Sequence, residues 1–187
     1  MDQKFFVINE SEFEQMIKEA AKVGAATALE KLGEEREKHK KELNRKKLHN
    51  TELLMKNYRV LKAHTNHSIF DATHLTESAA DLLISMMSLK EDGMVVESIK
   101  KSAERTAIMM AHIDAMLGVF KRWCGGSGTD LQMRKYDVLY QLYIADECMT
   151  VRQLADHYNI SKESVYADKN SALRQLSTLL FGIDVLK

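Results

Sequence analysis

With 187 residues, 45% of them apolar, the chain is long enough for one or two domains with a hydrophobic core. Its 27 basic and 27 acidic side chains cancel, so bulk charge does not announce a nucleic-acid partner, and binding to DNA would need a local basic surface. Two cysteines, Cys124 and Cys148, lack metal or disulfide-framework spacing, which excludes a disulfide scaffold and points to a reduced cytoplasm. The opening MDQKFFVINE is too short and charged for a signal peptide, and no apolar run approaches a membrane span. No proline occurs and strand signals are scarce. The fold class expected is therefore all-α.

Residues 5–8 form a short apolar piece, either a strand or an anchor on a helix. Asn9 is placed to cap a helix, with Glu12 closing the capping box and Ile8 and Phe13 forming a staple. Phe13, Ile17, Ala20, Leu29 and Leu32 then recur at helical spacing. Ala20, Ala21, Gly24, Ala25 and Ala28 keep one side narrow. That side suits a dimer seam or an intramolecular helix pair equally well. Residues 33–47 hold mostly charge, with Glu34–Lys38, Glu37–Lys41 and Glu42–Lys46 at the favoured helical spacing. They read as a solvated helix or helical linker. Alternatively, Lys40, Lys41, Arg45, Lys46 and Lys47 form a phosphate-contacting arm.

Residues 51–64 return to an amphipathic helix with Leu54, Tyr58 and Leu61 on one face. His64, His67, Asp71 and His74 follow at helical spacing. These are ligand types for zinc or iron, but no matching partner motif occurs elsewhere, so a polar helix face or an interhelical contact is preferred and no metal or cofactor is expected. Residues 76–87 and 93–123 read as an antiparallel helical hairpin, the first helix capped by Thr76. Leu82, Leu83, Met86 and Met87 face Val95, Ile99, Ala103, Ala107, Met110, Met116, Leu117 and Phe120. Its methionines, including Met94 and Met109, fill an irregular core or line an adaptable binding surface.

Cys124-Gly125-Gly126-Ser127-Gly128 is the one glycine-rich stretch. It lacks the Gly-Lys-Ser/Thr of a phosphate loop and is expected to be a linker spanning 124–130. A helix over 131–145 follows, then the most legible stretch, 149–181. Thr150 with Gln153 makes a capping box, and Met149 with Leu154 makes a staple. Asn159 is one of the few residue types that tolerates a left-handed backbone. Ser161 caps a second helix, and Ile160 with Val165 repeats the staple. Leu154, Ala155, Tyr158, Ile160 and Val165 make a small core. This is the grammar of a helix-turn-helix whose second helix enters the major groove.

Leu154-Ala155, 160–166 (ISKESVY), Ala172-Leu173 and 179–182 (LLFG) resemble region 4 of bacterial sigma factors and the sigma-like proteins of phages and prophages of Gram-positive bacteria. The likeness is greatest to the ArpU/RinA type of late-gene activator, and 48–59 (LHNTELLMKNYR) is similar, more weakly, to a segment of such phage proteins. Asp168 departs from the pattern, because that position usually continues the apolar face. Its carboxylate needs a partner such as Arg174 or the turn backbone, unless the helix is rotated.

The resemblance implies an N-terminal helical dimerisation or partner-binding region over 1–123 and a DNA-binding domain over 131–187. The implied function is a sequence-specific transcription regulator, an activator acting with host RNA polymerase, and not an enzyme. Ser161, Lys162, Glu163, Ser164, Tyr166, Ala167 and Asn170 are expected in the major groove. Arg152, Lys169 and Arg174 are expected on phosphates. The partners expected are double-stranded DNA, RNA polymerase or another host protein, and a second copy of the chain, with no membrane. A second reading, from another class, is an interaction protein that redirects a host protein through its helical region.

Overall fold

The computed structural model describes residues 9–66, 78–89, 91–100, 103–126 and 129–182. They are all-α: α1 (Glu10–Lys56), α2 (Tyr58–Asn66), α3 (Ala79–Ser88), α4 (Asp92–Lys100), α5 (Ala103–Gly126), α6 (Asp130–Tyr143), α7 (Val151–Tyr158) and α8 (Lys162–Phe181), with no strand among the described residues. None of these helices is long and apolar enough to cross a membrane. The apolar piece at 5–8 and most of the histidine constellation, His67, Asp71 and His74, lie outside the described residues. Among the described ones, no cluster of His, Cys, Asp and Glu could hold a metal ion.

The first segments read from the sequence are one helix. Asn9 accepts from the Glu12 N–H at 2.8 Å and donates its own N–H to the Glu12 carboxylate at 3.2 Å, the expected box. From there α1 runs unbroken through the apolar and charged stretches and ends at Lys56, so the amphipathic stretch expected at 51–64 is split at Asn57 between α1 and α2. Gly24 and Gly33 each cost only about 1 kcal/mol in a helix, too little to interrupt a run free of proline. Contacts divide the chain into Met1–Asn44 and Arg45–Lys187. In the first unit every described residue through Glu42 is solvent-exposed. Phe13, Met16, Ile17, Val23, Leu29 and Leu32 are each more than half exposed. Of the two readings of this stretch, a dimer seam or an intramolecular helix pair, the pair is absent from the described part of this unit.

The second unit owes its core to α1's last turns, α2, α3, Ile99 of α4, α5, α6 and α8. Leu54, Met55, Leu61, Met86, Met109, Ile113, Phe120, Leu139, Leu173 and Leu176 are almost wholly buried in one cluster. Met86, Met109 and Met110 are core filling, whereas Met94 is exposed. Helix α3 begins later than expected. Its cap is Ser78, boxed with Asp81, and not Thr76. The second hairpin helix is described as α4 and α5, and the two residues between them, 101 and 102, lie outside the described residues.

Packing does not stop at the glycine-rich stretch. Gly125 and Gly126 are the last residues of α5, and the same cluster joins Phe120 and Cys124 to Tyr136, Leu139, Ala172 and Leu176 beyond it. Phe120 meets Tyr136 edge-on with ring centroids 5.8 Å apart. His112 Nε2 lies 3.2 Å from the Leu180 carbonyl, an acceptor, so that nitrogen carries the proton.

Because Phe120 joins α5 to α6, Phe120→Ala is predicted to cost about 3–5 kcal/mol. Denaturant unfolding followed by Trp123 fluorescence reads this directly, since the two rings lie 6.4 Å apart. A loss below about 1 kcal/mol would mean that α5 and α6 do not share a cooperative core.

Candidate nucleic-acid interface

The geometry between α7 and α8 follows from local chemistry. Thr150 accepts from the Gln153 N–H at 3.3 Å, while its own N–H donates to Gln153 Oε1 at 2.7 Å. Helix α7 ends at Asn159, at φ 51° and ψ 48°, and the Ile160 N–H closes on the Ala155 carbonyl at 3.0 Å. Ser161 then caps α8 by accepting from the Ser164 N–H at 3.2 Å. Val138, Leu154, Ala155 and Val165 form a buried cluster, flanked by Leu142, Met149, Val151, Tyr158 and Ile160. Val138 and Leu142 come from α6, which supports the pair from behind.

The partner of Asp168 lies on α6. Asp168 is 5% exposed, and Arg134 donates from Nε to its carboxylate at 2.7 Å. Neither Arg174 nor the turn backbone takes this role. With Val165, Asp168, Ala172, Leu173 and Leu176 buried, the rotation of α8 is set. Lys162, Glu163, Tyr166, Ala167, Asn170 and Arg174 are all exposed, as are Ser161 and, in the first turn of α7, Arg152.

Two expected contact residues are differently engaged. Ser164 is half-buried, and both its N–H and its hydroxyl meet Ser161, so it belongs to the cap. Lys169 pairs with Glu52 at 3.2 Å and stands 5.8 Å from the Tyr166 ring centroid. Glu163 is held below the usual carboxylate range by its own backbone N–H and by Ser161, so it is an acceptor at neutral pH. The resulting face combines cationic, anionic, amide and aromatic groups, all solvated, on a helix anchored from the other side.

Sequence reasoning missed Glu52, Lys56 and Arg59 as neighbours of this face. Glu52 Oε1 holds Lys56 at 3.4 Å as well as Lys169, and Arg59 reaches Cys148 Sγ at 3.8 Å. The sequence marked that segment by its weak likeness over 48–59 and by the amphipathic pattern of 51–64, neither of which points to α8. No family model, curated protein or solved structure matches the chain.

Breaking the α6–α8 ion pair strands a buried carboxylate, so Arg134→Ala is predicted to cost on the order of 2–4 kcal/mol. Adding Asp168→Leu to Arg134→Met should recover most of that loss, because two apolar groups leave no uncompensated charge. Urea unfolding of the three chains checks both statements. An Arg134→Ala chain within about 0.5 kcal/mol of wild type would show that the pair does not hold α8.

Proposed function

We propose that the chain is a sequence-specific DNA-binding transcription regulator of phage or prophage origin, an activator acting with host RNA polymerase. In this reading residues 131–187 work as a helix-turn-helix of the sigma region 4 kind. The observation that carries the proposal is the division of α8 into two sides. One side is fixed by Val165, Asp168, Ala172 and Leu176, and the opposite side exposes Lys162, Glu163, Tyr166, Ala167 and Asn170 near the helix start. The first turns of a recognition helix are the part that meets base edges.

In the groove, the Asn170 amide pairs with adenine through two hydrogen bonds, Lys162 donates to guanine or phosphate, and Glu163 accepts from cytosine. Arg152 and Arg174 hold phosphates and set register. Lys169 contributes less as a free cation than its sequence position suggested, because Glu52 already neutralises part of its charge. The chain's overall neutrality means that the local surface must supply the whole electrostatic attraction. The exposed apolar residues of α1 from Phe13 to Leu32 supply the second copy's docking surface in this reading.

That same exposure favours a second reading, an interaction protein that redirects a host protein through its helical region. Selection of bound duplexes from a random pool, with full-length protein near physiological salt, separates the two. The regulator predicts an enriched motif that is lost in a folded Lys162→Ala/Asn170→Ala chain, each base contact being worth about 1–3 kcal/mol. Two symmetric half-sites would identify a bound dimer. No enrichment by correctly folded protein would reject the regulator in favour of the interaction protein.

A further inference from the structure

Two cations beside the α7–α8 pair come from elsewhere in the chain. Glu52 uses one carboxylate oxygen to hold both Lys169 and Lys56. Lys169 in turn lies against Tyr166, on the first half of α8. Lys56 is thereby stationed at the flank of the exposed α8 face, and its side chain remains 59% exposed. Burial works against ionisation of Glu52, but Lys169 and Lys56 outweigh it and keep the carboxyl below its ordinary range.

Just past the break at Asn57, Arg59 reaches Cys148, two residues before the Thr150 cap of α7. Arg59 and Arg152 are both exposed, so cations come to the start of α7 from two elements. Asp146 and Glu147 are exposed in the connection leading to Cys148 and are the opposing charges nearby in sequence. Neither cation is used up by its partner. An ammonium has three donors and a guanidinium five, so Lys56 can keep Glu52 and Arg59 its weak sulfur contact while each donates to another oxygen.

We propose that Lys56 and Arg59 bind backbone phosphates of double-stranded DNA flanking the bases met by α8. The interface is then built jointly by the α1–α2 junction and the α7–α8 pair. This inference rests on the DNA-binding reading above. It assigns these two residues to affinity and register, with no part in choosing the sequence.

The test measures the affinity of full-length protein against salt concentration, on the selected duplex and on a scrambled duplex. Lys56→Gln/Arg59→Gln is expected to weaken both duplexes by the same factor. It should lower the slope of log K against log salt by about 1.8, two contacts at roughly 0.9 each. Lys56→Arg/Arg59→Lys, which keeps both charges, should retain the wild-type slope. A wild-type slope in the Gln variant, or a loss confined to the selected duplex, would overturn the inference while leaving DNA binding intact. An equal loss of slope in the charge-keeping variant would also overturn it, because the fold and not the charge would be responsible. Wild-type protein with no salt-dependent binding and no preference between duplexes would overturn the functional reading itself.

Discussion

The rotation of α8 about its own axis depends on Asp168 meeting Arg134. A carboxylate on the buried side of a helix is tolerated only with a charge-assisted partner, and the guanidinium of α6 supplies it at 2.7 Å. Turning α8 by one residue would expose Val165 or strand Asp168. The pair adds little net stability compared with an apolar replacement, but it penalises wrong rotations heavily. A helix proposed to present side chains to base edges needs that kind of constraint, since small rotations move every contact together.

The remaining fixation comes from packing at both ends of α8. Its start belongs to the small cluster with α7, and its later turns enter the large cluster with α5 and α6. Lys47 donates to the Gly182 carbonyl at 3.4 Å, and Glu52 holds Lys169, so the last turns of α1 grip α8 at two places. The outer face of α8 is therefore free of structural duty while the inner face carries all of it. Lys169 sits between these roles, half-buried and half committed to Glu52.

The sequence made the α7–α8 turn legible because its determinants are local. Thr150 with Gln153, Asn159 in a left-handed conformation, and Ser161 before α8 act within four residues of their partners. Their chemistry has few alternative explanations. The Arg134–Asp168 and Glu52–Lys169 contacts span 34 and 117 residues and leave no periodic trace. The glycine-rich stretch misled because Gly125 and Gly126 look like breakers, whereas burial of Phe120 and Cys124 carries α5 to their position. The length of α1 was hidden for the opposite reason. Charged residues at 33–47 suit a linker or a solvated helix equally, and only the capped, proline-free continuity of the whole segment decides for the helix.

In the proposed function the exposed side of α8 reads DNA. The most direct measurement is amide chemical-shift mapping of the labelled full-length chain, titrated near physiological salt with a duplex recovered by selection. The largest changes are expected at Lys162, Glu163, Tyr166, Ala167 and Asn170, on the exposed side of the first turns of α8. Changes confined to residues 10–44, or none at all with saturating duplex, would contradict it.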